Sequence, residues 1–143
     1  MIISLFRQIT KYENKTKGNN SMKLADIVDF QKALGDETRI RVLMAIFYHE
    51  LCLCHLAHAF NLANSTLSKH LDILRKSGLI KKRKAGRFHY FNFNSAYQAQ
   101  LQWLLDALSD DPSILQDRQS IKKMIDEHLE HLPEIHAKET KNV

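Results

Sequence analysis

The sequence NSTLSKHLDILRKSGL, residues 64–79, decides the fold. Its apolar residues recur at spacings of four and three, which predicts one buried face of an α-helix. Asn64 or Ser65 is expected to cap the start of this helix, and Gly78 is expected to end it. A helix with one apolar face packs against a core and leaves its polar face outside. The apolar face comprises Leu67, Leu71 and Leu74.

A second short helix is expected directly before this one. Residues 50–60 place apolar side chains at helical spacing, and residues 61–64 form a turn. Two helices joined by a short turn, the second polar on its outer face, are typical of a helix-turn-helix. Two earlier helices are expected over about residues 22–34 and 37–47, with Asp36 as the N-cap of the later one. The arginines of that helix, Arg39 and Arg41, are expected to face solvent.

The residues after the helix that begins at residue 64 change from helical to strand periodicity. Residues 79–84 are a strand candidate, and residues 87–93 alternate aromatic and polar side chains. Ala85 and Gly86 lie between them, so this segment predicts a β-hairpin with a basic rim. A hairpin directly after a helix-turn-helix makes a winged helix.

Two further helices are expected after the hairpin. Residues 95–108 form an unusually apolar helix, which together with the first helix is expected to make a dimer surface; the alternative is packing within its own chain alone. Ser113 is expected to cap a last helix that ends at about His131. The predicted fold is mainly α with a small β-hairpin, a homodimeric winged helix-turn-helix of order α-α-α-α-β-β-α-α.

The chain is expected to divide into three segments. Residues 1–21 are polar and lysine-rich after a brief apolar start, which predicts a flexible N-terminal arm. Residues 22–110 are expected to form the DNA-binding and dimerisation domain. Residues 111–143 are expected to form a C-terminal helix and a polar tail.

Composition limits the function classes. The 143 residues are 44% hydrophobic and carry a net charge of +5, which suits one globular domain that binds nucleic acid. The sequence lacks a run of about 18 apolar residues, so no membrane span is expected. No secretory leader is recognised either, and a cytoplasmic protein is therefore expected. Motifs for a nucleophile–base pair, a phosphate loop or paired catalytic carboxylates are missing from the sequence. An enzyme is therefore not expected.

Cys52 and Cys54 are the only cysteines of the chain. Their spacing makes a poor structural disulfide, so in a reducing cytosol they are expected to be thiols with a metal or redox role. Thiolates favour As(III), Sb(III), Cd(II) and Pb(II). Residues i and i+2 of an α-helix point about 200° apart, so an ion held by both is expected to unwind the first turn of their helix. The alternatives are a thiol redox switch and two cysteines that only fill the core.

Three motifs together resemble those of the ArsR/SmtB family. Residues 50–56, Glu-Leu-Cys-Leu-Cys-His-Leu, resemble its ELCVCDL signature. Residues 65–79 resemble its recognition helix, Ser-x-x-Ser-x-His-Leu-x-x-Leu-Arg-x-x-Gly-Leu, and residues 83–90 resemble its wing, Arg-x-x-Gly-Arg-x-x-Tyr. The resemblance covers about residues 24–108. It implies a homodimeric winged-helix repressor that leaves an inverted-repeat operator in double-stranded DNA when a toxic metal or metalloid ion binds.

The ligand set departs from the family pattern at two positions. Many arsenic-responsive members have a third cysteine where this chain has Ala57, and the signature Asp is His55 here. The third ligand of As(III) would then be a small thiol, hydroxide or a cysteine of the dimer partner. The nitrogen donors His49 and His55 would suit Zn(II) or Cd(II) better. As(III) or Sb(III) at Cys52 and Cys54 is the expected inducer, other thiophilic ions are the alternative, and no other cofactor is expected.

The resemblance places the recognition helix in the major groove and the wing beside the DNA backbone or minor groove. Polar side chains of the helix would contact base edges or phosphates. For Ser65, a role as a helix cap alone is an equal alternative to DNA contact. For His70, a half-buried position is an equal alternative to a base contact. A basic hairpin that is merely solvated is the alternative for the wing. The expected DNA contacts are Asn64, Ser65, Thr66, Ser68, Lys69, His70, Arg83, Lys84 and Arg87.

A second group of metal-binding residue types lies near the end of the chain. His128 and His131 follow Glu127 at short spacing, with Glu134 and His136 beyond them. Such a set would bind Zn(II) or Ni(II). Helix ends often carry these residues without a ligand, and that alternative is favoured.

Overall fold

The structure, a computed structural model, describes residues 22–129 as a mainly helical winged helix-turn-helix, which confirms the predicted fold class. The predicted arm of residues 1–21 and the tail after residue 129 lie outside the described residues. The elements in chain order are α1 (Leu24–Ala33), α2 (Glu37–Tyr48), β1 (Leu51–Cys52), α3 (Leu53–Phe60), α4 (Asn64–Lys76), β2 (Ile80–Ala85), β3 (Phe88–Phe93), a short 3₁₀ helix (Ser95–Tyr97), α5 (Gln98–Ala107) and α6 (Pro112–Leu129).

The prediction that residues 50–60 form one helix is wrong at its start. Leu51 and Cys52 form the short strand β1, which pairs antiparallel with β3, and α3 begins only at Leu53. The backbone of Cys52 is extended, with φ −84° and ψ 162°, so this residue both ends the strand and caps the helix. The wing is therefore part of a three-stranded sheet of order β1-β3-β2, one strand more than predicted.

The caps of the first helices agree with the prediction only in part. Asp36 caps α2, since its carboxylate accepts a hydrogen bond from the backbone N–H of Arg39 at 2.9 Å. For the recognition helix α4, the predicted caps Asn64 and Ser65 are wrong. The helix already includes both residues, and its N-cap is Ala63, which makes no side-chain capping bond.

The apolar face of the recognition helix packs into the core, which fixes the orientation of the helix. The three leucines predicted to face inward are at most 1% exposed, which confirms the predicted apolar face. Gly78 follows α4 with φ +84°, a left-handed conformation that favours glycine. A Cβ atom on Gly78 would lie 2.9 Å from the hydroxyl oxygen of Tyr97, so the 3₁₀ helix also requires glycine there. The buried leucines are Leu67, Leu71 and Leu74.

The last helix, α6, packs against α2 and α3. Its side chains Ile121 and Met124 are buried in the same core cluster as the leucines of α4. The carboxylate before this helix, Asp111, accepts hydrogen bonds from the backbone N–H groups of Ser113 and Ile114. The predicted cap Ser113 is therefore wrong, because the side chain two residues earlier satisfies these donors.

Apolar side chains of α1 and α5 remain outside the core. Leu24 is 79% exposed and Trp103 is 62% exposed, while Ile27 and Val28 are more than 40% exposed. Packing among residues 22–129 therefore leaves these four side chains uncovered. Within residues 22–129, the helices are all too short or too polar to cross a membrane.

Candidate metal centre and DNA-binding surface

Cys52 lies at the junction of β1 and α3, where it is 2% exposed. Its Sγ accepts a hydrogen bond from the backbone N–H of His55 at 3.3 Å. In return, the backbone N–H of Cys52 donates to Nδ1 of His55 at 3.5 Å. This reciprocal arrangement is a capping box, with a cysteine sulfur in place of the usual hydroxyl oxygen. The atoms that cap α3 are thus also potential metal ligands.

The sulfur atoms of Cys52 and Cys54 are joined as a disulfide. The prediction that this spacing is unsuitable for a disulfide is therefore wrong. So is the prediction that the two sulfurs meet only if the first turn of the helix unwinds. The separation of about 200° applies when both residues are helical, whereas Cys52 is extended and only Cys54 lies within α3. Both sulfurs approach each other while the turn stays helical.

Within the described part of the chain, one group of His, Cys, Asp or Glu residues brings potential ligand atoms together. The ligand atoms of Cys52, Cys54 and His55 all lie within 4.8 Å of one another. Cys54 is exposed, so an ion can approach from solvent. After reduction of the disulfide, two thiolates and an imidazole nitrogen suit thiophilic ions such as Cd(II) and Zn(II). The donors present therefore fit such an ion.

Glu50 connects this site to both strands of the wing. Its carboxylate accepts hydrogen bonds from the guanidinium of Arg83 on β2 and from the side-chain amide of Asn92 on β3, the latter at 3.0 Å. The guanidinium of Arg83 also lies over the ring of Tyr90, 4.9 Å from its centroid. The hydrogen bond from Arg83 holds the pKa of Glu50 below its ordinary value. Arg83, one of the expected DNA contacts, therefore has partners inside the protein.

The outer face of α4 presents a row of polar side chains. Ser65 is exposed, and because Ala63 occupies the N-cap position, the hydroxyl of Ser65 does not serve as the cap. This observation bears against the alternative that Ser65 has a capping role only. Ser68 is half-buried at the edge of the row. The exposed members are Asn64, Ser65, Thr66 and Lys69.

His70 follows Thr66 by one helical turn, at the edge of this row where α4 meets Asp36 and Arg39. Its Nδ1 is 3.5 Å from Nη1 of Arg39 and 3.9 Å from Oδ1 of Asp36, and the residue is half-buried. Arg39 also donates hydrogen bonds to the backbone carbonyls of Lys32 and Ala33. The prediction that Arg39 faces solvent is wrong, because these carbonyls at the end of α1 hold its guanidinium. The contacts of His70 favour the half-buried alternative over a base contact.

The wing is a regular hairpin with basic residues at its tip. Its strands pair from Ile80 with Phe93 to Ala85 with Phe88. Gly86 has φ +60° in the two-residue turn, a backbone conformation that residues other than glycine rarely adopt. The two basic residues nearest to this glycine in sequence, Lys84 and Arg87, are exposed.

Comparison with known proteins identifies the family. The family described as "Bacterial regulatory protein, arsR family" matches residues 36–82. The arsenic resistance transcriptional regulator ArsR2 of Pseudomonas putida is 35% identical over 91 residues, which cover 54% of this chain and 79% of that protein. The chain belongs to the ArsR family. Its members are transcriptional regulators, so the prediction that the chain is not an enzyme is confirmed.

Relatives of this ArsR-family chain are named after different ions. The cadmium resistance transcriptional regulatory protein CadC homolog of Staphylococcus aureus is 32% identical over 77 residues, 53% of this chain and 64% of that protein. The chain spans between half and two thirds of the length of several curated relatives. Among solved structures, HlyU from Vibrio cholerae N16961 has a TM-score of 0.54 at 28% identity, covering 60% of this chain and 97% of that chain. Family membership alone thus does not identify the ion, which has to be inferred from the donor atoms.

One feature of this ArsR-family site, the role of Glu50, escaped the sequence analysis. The role of Glu50 depends on β1, and the one signal in the sequence is that Glu50 and Cys52 are spaced for the same face of a strand. The predicted ligand His49 is exposed at the end of α2 and does not belong to the group of ligand atoms. For the predicted C-terminal ligands, the side chain of His128 and all of His131 lie outside the described residues.

Proposed function

We propose that this chain is a DNA-binding transcriptional repressor that leaves its operator when a thiophilic ion binds Cys52 and Cys54. The observation that carries the proposal is the convergence of Cys52, Cys54 and His55 at the first turn of α3, the helix that precedes the recognition helix. Family membership supports the regulatory role. An ion changes DNA affinity only if it binds the two conformations of the protein unequally. A site built from the cap of α3 provides that difference, because coordination changes the bonds that fix the cap.

The DNA-binding unit is proposed to be a homodimer formed by residues 22–110. The exposed apolar side chains of α1 and α5 supply the surface, since patches of this kind mark interaction sites. A two-fold axis there would place two recognition helices on successive turns of the major groove, so the operator is an inverted repeat. Helix α4 and the wing tip carry the contacts to double-stranded DNA. These contacts are Asn64, Ser65, Thr66, Ser68, Lys69, Lys84 and Arg87, with Arg83 and His70 in supporting positions.

The class of ion follows from which donors it uses. As(III) and Sb(III) bind through the two thiolates and take a third thiol or hydroxide from outside this group. Cd(II) and Zn(II) also accept the imidazole nitrogen of His55. We therefore include both classes of inducer in the proposal, and His55 is the residue that separates them.

The test is operator binding measured by fluorescence anisotropy. The probe is duplex DNA from the region upstream of the protein's own gene, and As(III), Sb(III), Cd(II) or Zn(II) is titrated into the complex under reducing conditions. An active ion should weaken binding to wild type by about tenfold or more and leave binding of Cys52→Ser/Cys54→Ser unchanged. His55→Ala should lose the response to Cd(II) and Zn(II) and keep the response to As(III) and Sb(III). Equal release of wild type and the cysteine variant would refute the proposal.

The disulfide between Cys52 and Cys54 favours a second candidate function, a regulator that responds to oxidants. A peroxide would oxidise the two thiols to this disulfide and be reduced to two molecules of water or to water and an alcohol. A cellular dithiol would reverse the step. In the same anisotropy experiment, release of DNA by hydrogen peroxide but by none of the ions would select this candidate.

A further inference from the structure

The strand register places the first thiol and the base of the wing on one face of the sheet. Cys52 lies opposite Tyr90 of β3, and Tyr90 lies opposite Arg83 of β2. Residues directly opposite each other in antiparallel strands point to the same face, and so do residues two apart on one strand. Glu50 consequently shares this face with Cys52, and its hydrogen bonds to Arg83 and Asn92 are consistent with that register.

Backbone pairing and the side-chain bonds of Glu50 connect β1 to the wing. The strand is two residues long, so its backbone offers only a short ladder to β3. The carboxylate of Glu50 adds one bond to each of the two wing strands, and Arg83 is held further by the ring of Tyr90. A shift of β1 is therefore transmitted to both β2 and β3 through Glu50.

Ion binding acts on the same short strand. The Sγ of Cys52 and the Nδ1 of His55 make the two capping bonds at the junction of β1 and α3. Both residues belong to the group that would bind an ion. Coordination draws Sγ and the imidazole toward the ion and so changes the bonds that fix Cys52 between strand and helix.

We propose that Glu50 is a positioning residue that couples ion binding at Cys52 to the orientation of the wing. The inference rests on the proposed function. When the ion shifts β1, the carboxylate of Glu50 pulls on Arg83 and Asn92, and the tip residues Lys84 and Arg87 leave their place on the DNA backbone. Glu50 itself touches neither the ion nor the DNA.

The test compares wild type with Glu50→Gln, which keeps the shape of the side chain and removes its charge. Glu127→Gln is the matched control, because Glu127 is an exposed carboxylate paired with Lys123 on α6. Cd(II) binding to the full chain is followed by thiolate-to-metal absorption, and operator affinity by anisotropy with and without Cd(II). Wild type and Glu127→Gln should lose about tenfold or more in operator affinity with Cd(II). Glu50→Gln should lose about twofold or less while its ion affinity and its ion-free operator affinity stay close to wild type.

Hydrogen exchange of the β3 amides without DNA is the second readout. Cd(II) should change this exchange in wild type and Glu127→Gln but not in Glu50→Gln. An equal loss of operator affinity in Glu50→Gln and wild type would overturn the inference. So would a weaker ion-free complex of Glu50→Gln, since that result means a purely structural role. If Glu50→Gln does not fold, Asn92→Ala replaces it, with an intermediate effect expected.

The two proposals fail in different ways. If Cd(II) binds wild type without releasing DNA, the proposed release function fails for this ion, and the inference is judged on β3 exchange alone. Unchanged exchange in wild type then overturns the inference as well. If Cd(II) does not bind wild type at all, the inference is overturned, whereas the proposed function is then judged on As(III) and Sb(III) in the anisotropy titration.

Discussion

Arg41 of α2 donates two hydrogen bonds to the carboxylate of Asp117 on α6, at 2.8 and 2.7 Å. The hydrogen bonds that Arg41 donates to Asp117 raise the pKa of Arg41 above its ordinary value, so this guanidinium stays charged. Asp117 is 11% exposed and Arg41 is 34% exposed, so solvent screens the pair only on the arginine side. This contact connects the C-terminal helix to the helix-turn-helix core. The C-terminal helix follows the residues that the family matches.

Asp117→Asn should destabilise the protein by roughly 1–3 kcal/mol, because it leaves the half-buried guanidinium of Arg41 with a weaker acceptor. The free energy of unfolding in urea, measured at one fixed protein concentration, checks this value. Glu127→Gln serves as the control, since an exposed helical pair such as Lys123 and Glu127 contributes only about 0–0.5 kcal/mol. Equal effects of the two substitutions would show that the bidentate contact does not stabilise α6.

Gly78→Ala should destabilise the protein more than Gly86→Ala. Both glycines have positive φ, which costs an L-residue about 1–2 kcal/mol. A Cβ on Gly78 also meets the hydroxyl of Tyr97 at 2.9 Å, whereas a Cβ on Gly86 meets nothing within 4 Å. Adding Tyr97→Phe to Gly78→Ala should recover part of the loss in thermal stability. If that double variant is no more stable than expected from the two single changes, the hydroxyl contact is not the cause.

The cap of α2 predicts a pH dependence of stability. The backbone N–H of Arg39 lowers the pKa of Asp36 below 3.8, its value in the unfolded chain. A carboxyl group whose pKa is lower in the folded state stabilises that state above its unfolded pKa and loses this contribution as the pH falls through the folded pKa. Asp36→Asn keeps a capping oxygen without the charge. The free energy of unfolding in urea should be higher for wild type than for this variant by a few tenths to about 1 kcal/mol at pH 6, and the difference should decrease as the pH falls below 3.8. A constant difference over this range would contradict the assignment.

The sequence was sufficient for the elements that bury an apolar face. The period of Leu67, Leu71 and Leu74 predicts α4 because each leucine contributes to the same local pattern. It was insufficient for β1, since a two-residue strand has no period of its own and exists only through pairing with β3. The guanidinium of Arg41 was predicted to face solvent for a similar reason: its partner Asp117 is 76 residues away in sequence.

The candidate site shows the same division between local and long-range information. The residue types of Cys52 and Cys54 pointed to thiophilic ions without any structure. Their geometry depended on the strand-to-helix junction, which lets an i, i+2 pair converge without unwinding α3. Glu50 acquires its role only from Arg83 and Asn92, both more than 30 residues later in the chain.

The basic side chains of the wing and of α4 should differ in their contribution to the salt dependence of operator binding. Each phosphate contact that is lost reduces the slope of log affinity against log salt by about 1. Lys69→Gln and Arg87→Gln should each show this reduction and weaken binding to all DNA sequences alike, because both basic groups are exposed and are proposed to contact phosphates. His70→Gln should leave the slope unchanged, because its imidazole is half-buried beside Arg39 and Asp36. Anisotropy titrations at several salt concentrations give the slopes, and a reduced slope for His70→Gln would place that side chain at the DNA instead.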